Sequence, residues 1–301
     1  MVVIPKSSTY MTDVLILVTI AIFLAVGQTI EGNELFKGKV CYGTSNGFSL
    51  SGSQMFHYQR MRKRYTGCTF VHGNLEITHL ERRKGMTFDL SFLETIEVVT
   101  GYVLILNNDV DVIPLTNLIH VRGESQFSYK GNNYVFSVIL SDNRGGIQMP
   151  MLKEISGNVL LSHWSVCFTN SIAWDVLIQG TVTESSVEEP AGCLPCDDSC
   201  STVDGVQRCW GPGPDLCQKV KRMECDWHCE NGTCFEEGLM GCCHPECLGC
   251  NDGWIDTACE YCRHYSYQGH CIPNCPSETF SHMDRCIRFD EYYAAHENNF
   301  T

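Results

Sequence analysis

The sequence predicts a mainly β protein in two unlike parts: a right-handed parallel β-solenoid, then a disulfide-rich rod of small cysteine modules. Three observations carry that reading. Seventeen of the 20 cysteines fall in the 94 residues from Cys193 to Cys286, and only three precede them. That stretch holds just 11 Val, Ile, Leu or Phe residues, fewer than the roughly one in five expected of an ordinary packed core. Upstream, a glycine-led strand phrase recurs four times, as in a coil whose turns stack on one another. The 21 basic and 35 acidic side chains leave a net charge of −14, which excludes a nucleic-acid partner because phosphates need a basic face.

The chain opens on a 13-residue apolar run, Val14 to Val26, behind a single Lys6. A spanning helix needs about 20 apolar residues, so a signal peptide is expected over residues 1–27. Ala25-Val26-Gly27 offers small residues for cleavage after Gly27. An uncleaved anchor is the alternative. The C-terminal end, Tyr292 to Thr301, is polar, so no membrane span is expected after signal cleavage.

In the first part, Met55, Phe56, Tyr58, Met61 and Tyr65 sit at offsets that suit one face of a short helix between Cys41 and Cys68. Arg60, Arg62, Lys63 and Arg64 on the same stretch suit heparin or acidic lipid, but also an ordinary solvated face. The recurring phrase follows: Gly73-Asn-Leu-Glu-Ile, Gly101-Tyr-Val-Leu-Ile, Gly123-Glu-Ser-Gln-Phe and Gly157-Asn-Val-Leu-Leu, at intervals of 28, 22 and 34 residues. Each reads as a turn glycine opening a strand. A second apolar beat, Leu93 with Ile96, Leu115 with Leu118, and Leu152 with Ile155, precedes three of them. These residues are expected in the core, Asn and Gly at the corners, and Trp174 as a buried cap. Residues 183–192 read as an acidic linker.

Three cysteines before residue 193 and 17 after are both odd numbers, so full pairing requires a bridge across the boundary, for which Cys167 and Cys193 are the natural candidates. Such bridges persist only in oxidising compartments, which points outside the cell. Zinc is the competing reading for Cys193-x-x-Cys196, Cys247-x-x-Cys250 and Cys259-x-x-Cys262, with His228, His244 and His264 nearby. The leader, the adjacent Cys242-Cys243 and the number of thiols favour disulfides, so no metal or cofactor is expected.

Cys41-Tyr-Gly-Thr-Ser-Asn, Gly73-Asn-Leu-Glu-Ile-Thr, Asp89-Leu-Ser-Phe-Leu, Gly101-Tyr-Val-Leu-Ile, Cys209-Trp-Gly with Cys217-Gln-Lys, and Cys242-Cys243-His together resemble the epidermal growth factor (EGF) receptor family. The resemblance implies a receptor L domain over residues 39–182 and a furin-like cysteine-rich domain over 193–288; residues 289–301 read as a polar tail. It also implies the pairs Cys41–Cys68, Cys167–Cys193, Cys196–Cys209, Cys200–Cys217, Cys225–Cys234, Cys229–Cys242, Cys243–Cys250, Cys247–Cys259, Cys262–Cys271 and Cys275–Cys286. Its ligand-facing positions fall on Phe48, Leu50, His79, Asn107 and Ile139, with Leu140 an alternative to the last. His79 and Asn107 replace an aromatic and an aliphatic contact of the family, which weakens an apolar patch.

Family members grip one another through a long hairpin between two of these cysteines. Only ten residues lie between Cys275 and Cys286, so the dimerisation arm is expected to be missing and the protein to be a monomer. No His-Arg-Asp or Asp-Phe-Gly tripeptide of a kinase occurs, and no enzyme activity is expected. The sequons at Asn231 and Asn299 suit a secreted glycoprotein. The expectation is a truncated, secreted ectodomain binding an EGF-like growth factor or a related receptor ectodomain, as a decoy or modulator of receptor tyrosine kinase signalling. A fragment of a cell-surface receptor kinase is the alternative, and a structural or defence protein reusing the scaffold the third.

Overall fold

The computed structural model describes residues 38–50, 52–82, 87–187, 191–219, 225–230 and 233–297. The expected leader, Asn231 and Asn299 lie outside them. In chain order the first part holds β1 (Val40–Tyr42), α1 (Gln54–Tyr65), β2 (Phe70–His72), β3 (Leu75–Thr78), β4 (Val98–Val99), β5 (Val103–Leu106), β6 (Ile113–Pro114), β7 (His120–Val121), β8 (Phe127–Tyr129), β9 (Asn132–Tyr134), β10 (Phe136–Ile139), β11 (Asp142–Asn143), β12 (Ile147–Gln148), β13 (Glu154–Ile155), β14 (Val159–Val166) and β15 (Val182–Val187). Two sheets dominate. A narrow one runs β1-β2-β4-β7-β13, and a wide one β11-β14-β10-β5-β3 with β15 against β14. Every ladder in both is parallel.

The wide sheet's register stacks like on like. Leu75, Val103, Phe136 and Val159 form one row; Ile77, Ile105, Val138 and Leu161 form another. Both rows enter a core shared with Val71, Val99, Val121 and Ile155 of the narrow sheet, and the paired apolar beats lie in it too. Side chains alternate across each strand, so these inward rows leave the intervening residues on the opposite face. Gly101 permits the close stacking: a Cβ there would come within 2.1 Å of Asn74 Oδ1. The corner asparagines are buried, with Asn108 Nδ2 donating to Ile77 O and Asn143 Nδ2 to Val110 O.

Helix α1 begins at Ser53, whose hydroxyl accepts from Phe56 N, a standard N-cap. It buries Gln54, Tyr58, Met61 and Tyr65. Phe56, expected on that face, is 49% exposed, because it lies two residues from Gln54 and Tyr58 on a helix that repeats every 3.6.

Three expectations are corrected. Gly123-Glu-Ser-Gln-Phe does not open a strand of the wide sheet. It leads into β8, which pairs antiparallel with β9 as a hairpin, and the strand in register is β10. The strand starts Leu75, Val103, Phe136 and Val159 are therefore 28, 33 and 23 residues apart. The expected acidic linker begins as an edge strand, β15, parallel to β14, with Ser185 Oγ 2.9 Å from Ser162 Oγ; an edge tolerates the exposed Glu184. The expected polar tail forms α2 (Phe289–Glu297), seated by rings: Phe280 lies 5.3 Å from Phe289 and 5.2 Å from Tyr292.

The cysteine-rich part carries the β16 (Thr202–Val203) and β17 (Val206–Gln207) hairpin and a four-stranded sheet of β18 (Tyr265–Tyr267), β19 (His270–Ile272), β20 (Thr279–His282) and β21 (Arg285–Arg288). Ten disulfides use all the cysteines. The whole is mainly β, with few helices.

Cys167–Cys193 ties the two parts together, and packing reinforces it. Trp210 joins the first part's core and meets Trp174 edge-on at 5.8 Å. Gln218 brackets the Ala173 backbone at 2.9 and 3.1 Å. Arg263 donates to the buried Glu154 carboxylate, which also accepts from Ser156 Oγ at 2.7 Å and Gln179 Nε2 at 3.0 Å. Arg122 donates to His264 O at 2.8 Å while lying over the Phe70 and Tyr265 rings.

Candidate ligand-binding face

Turning the alternate residues outward gives the wide sheet two further rows: Glu76, Leu104, Ser137 and Leu160, then Thr78, Leu106, Ile139 and Ser162. Their apolar members do not meet water. Phe127 and Tyr134 of the β8–β9 hairpin pack with Tyr102, Leu104, Leu106, Ile139 and Leu160 as a second buried cluster. Lys130 and Gly131 at the hairpin tip have φ of 49° and 83°, the left-handed pair of a tight primed turn. The N-terminal segment joins the edge of this cluster, with the Phe48 ring 5.6 Å from Phe127 and 6.0 Å from Tyr129.

Glu76 fixes that segment. Its Oε1 accepts from Gly47 N at 2.8 Å and Tyr102 Oη at 2.8 Å, and its Oε2 accepts from Asn46 N at 2.7 Å. Burial, aided by this carboxylate, pushes the Tyr102 phenol well above its ordinary range, so it stays a donor.

Just past the last outward row, His79, Asn107 and Leu140 form a column in left-handed conformation, with φ of 57°, 53° and 50°. Each amide donates to the end of the next strand: His79 N to Leu106 O, Asn107 N to Ile139 O and Leu140 N to Ser162 O. Asn and His adopt this backbone more readily than a bulky leucine does. At Leu140 it costs on the order of 1 kcal/mol and turns a 54% exposed side chain to solvent.

The structure thus brings three of the expected residues into contact. His79 Nε2 lies 3.2 Å from Phe48 O, and its Nδ1 lies 3.4 Å from Asn107 Nδ2. The tautomer with the proton on Nε2 satisfies both contacts. Asn107 Nδ2 also donates to Glu81 Oε1 at 2.7 Å. Leu50 is 40% exposed on the same segment as Phe48, which is 53% exposed. Ile139 is corrected: it is 1% exposed, because its outward side chain lies in the cluster capped by the hairpin. Leu140, one residue on, holds the exposed position.

Sequence reasoning missed the hairpin and Glu76. The hairpin had a signal, since Phe127-x-Tyr129 and Tyr134 flank Lys130-Gly131 in the spacing of a tight turn; Glu76 had none. The face offers apolar rings, two exposed leucines and amide and imidazole groups, which suits recognition of another surface. The zinc-spaced cysteines are all in disulfides, and His228 and His264 pair with Asp226 and Glu246 at 2.6 Å. Among the described residues no group of three His, Cys, Asp or Glu could hold a metal ion, and no helix is long and apolar enough to cross a membrane.

Residues 67–178 match the receptor L domain, and residues 184–301 match the furin-like cysteine rich region. The epidermal growth factor receptor of Drosophila melanogaster is 31% identical over 251 residues, covering 81% of this chain and 17% of that protein. The epidermal growth factor receptor of Gallus gallus is 30% identical over 280 residues, covering 90% and 38%. The human receptor tyrosine-protein kinase erbB-4 is 31% identical over 287 residues, covering 92% and 21%. The chain therefore spans well under half the length of these relatives while most of it aligns with them. With a receptor L domain followed by a furin-like cysteine-rich region, this chain belongs to the epidermal growth factor receptor family, whose ectodomain it matches.

Proposed function

We propose that this is a secreted, non-catalytic, receptor-like protein that binds an EGF-like growth factor or a related receptor ectodomain and acts as a decoy or modulator of signalling. The observation that carries it is the assembly of Phe48, His79 and Asn107, with Leu140 beside them, at one edge of the wide sheet. The two parallel sheets support a right-handed β-solenoid as the platform, since the chain passes back and forth between them through β2, β3, β4, β5, β7, β10, β13 and β14, and parallel ladders need crossovers. Polar replacements and a single L domain favour an affinity on the order of micromolar. The short hairpin between Cys275 and Cys286 favours a monomer in solution, which light scattering on the oxidised protein tests. Immobilised EGF-like ligands that capture nothing at about 100 micromolar protein sink the growth-factor reading.

A second reading is favoured by the lengths of the relatives, of which this chain covers 17%, 38% and 21%: the chain is part of a longer cell-surface receptor kinase. Long-read transcripts separate the two. A message ending after codon 301 supports the secreted form, and one running on into a membrane helix and kinase supports the other.

A further inference from the structure

In the cysteine-rich part, two loops separated by the Cys243–Cys250 bridge meet at the surface. Leu239 and Met240 open the short 3-10 turn Leu239–Gly241, and Trp254 and Ile255 lie between Cys250 and Cys259. The loops are bonded to each other: Trp254 Nε1 donates to Leu239 O at 3.1 Å, and Trp254 N to Cys242 O at 2.9 Å. A Cβ at Gly253 would come within 2.2 Å of Met240 O, so only glycine permits this approach. Met240 is 75% exposed, and Leu239, Trp254 and Ile255 are exposed too.

The exposure is held in place. Trp254 has a φ of 59°, a backbone that a bulky side chain rarely adopts and that persists only where its surroundings fix it. The bridges Cys229–Cys242, Cys243–Cys250 and Cys247–Cys259 fix both loops. The interior beneath is filled by Cys243, Cys247 and Cys250, with Phe235 and Cys259 packed against them. Apolar side chains on so rigid a base lose little freedom when a partner covers them, and Trp and Met are enriched at the centres of protein interfaces.

Charge identifies what covers them. From Cys225 to Cys262 the sequence carries eight Asp or Glu and no Lys or Arg, more than half of the net charge of −14. Lys153, His264 and His270 meet Glu260, Glu246 and Asp256, whereas Glu236, Glu237 and Asp252, next to the two loops, are exposed. We propose that Leu239, Met240, Trp254 and Ile255 form the apolar centre of a second interface, whose acidic rim takes a basic protein: an apolar contact flanked by arginine or lysine. A second copy of this chain is disfavoured, because a twofold contact sets the same acidic rim against itself. The interface is separate from the face of the wide sheet and does not rest on growth-factor binding there.

The test is titration of the full, oxidised chain with three short synthetic peptides: one with a leucine–phenylalanine–leucine centre and arginine flanks, one with the same centre and glutamate flanks, and one with a serine centre and arginine flanks. Only the first is expected to bind, and more weakly as salt rises. Met240→Ser and Leu239→Ser are expected to weaken it about tenfold at an unchanged unfolding midpoint, since both side chains are exposed. Glu236→Gln/Glu237→Gln/Asp252→Asn weakens it and flattens the salt dependence, while Leu194→Ser, exposed outside this stretch, leaves it unchanged. Equal binding of the serine-centred peptide overturns the interface and leaves diffuse acidity. Equal binding of the glutamate-flanked peptide overturns the basic partner. A dimer by light scattering that Met240→Ser dissolves assigns the surface to a second copy instead, and binding of none of the three removes the proposal.

Discussion

Replacing Arg263 with methionine probes the joint between the two parts most sharply. Arg263 and Glu154 are 7% and 5% exposed, and the arginine comes from the cysteine-rich part while the glutamate belongs to β13 beside His120. Burial by itself raises the Glu154 carboxyl, but the hydrogen bond from His120 and the Arg263 charge outweigh it and hold it at about 2. Removing one partner of a buried pair leaves the other charge uncompensated, at a cost of about 3–5 kcal/mol. Glu154→Gln/Arg263→Met restores neutrality and should cost clearly less than the sum of the single changes. Urea unfolding of the oxidised protein, followed by the fluorescence of Trp174 and Trp210 at the same joint, reads the difference. A loss under about 0.5 kcal/mol for Arg263→Met, the range of an ordinary surface change, would refute a formed, buried joint. The same pair sets an acid limit. The Glu154 carboxyl titrates near its ordinary range of about 4.3 when unfolded and at about 2 when folded. Its contribution, about 3 kcal/mol, is therefore present above about pH 4.3 and lost as pH falls toward 2. His120, lowered by burial against the pull of Glu154, adds a loss that begins below about pH 6.5.

Other perturbations separate the remaining layers. Gly101→Ala drives a methyl to within 2.1 Å of Asn74 Oδ1 and is expected to cost about 1–3 kcal/mol, measured by the same unfolding assay. Cys167→Ser/Cys193→Ser removes the boundary-crossing bridge and is expected to cost about 2–4 kcal/mol; retention of full stability would show that Trp210 and Arg263 hold the joint unaided. Trp210→Ala takes a buried ring out of the first part's core and is expected to cost about 3–5 kcal/mol.

What the sequence made legible follows from which forces are local. Leu93, Ile96, Leu115, Leu118, Leu152 and Ile155 repeat because each strand needs the same inward anchor, and all six are in the core. Seventeen cysteines among 94 residues spoke for covalent stabilisation without any knowledge of the fold. The spacing of Tyr58, Met61 and Tyr65 marked the buried face of α1, although Phe56 fell off it. Gly123 misled because it has the left-handed φ of a turn but enters a hairpin, and only the register of β10 against β5 shows where the wide sheet resumes. Ile139 misled for the same reason, since period-two alternation places it outward and only the folded hairpin covers it. Glu154, Arg263 and Arg122 were silent, because their partners lie more than 100 residues away and no local pattern records a buried contact across a domain joint.

Leu140 tests the recognition face most directly, being exposed, held in a left-handed backbone and outside the buried cluster. Titrating immobilised epidermal growth factor with the oxidised protein, with Leu140→Asp and with Tyr293→Asp as a control on α2, distinguishes a specific patch from general stickiness. The expected result is binding on the order of micromolar, weakened tenfold or more by Leu140→Asp and unchanged by Tyr293→Asp. Equal loss in both variants, or none in Leu140→Asp, would contradict the assignment of this face.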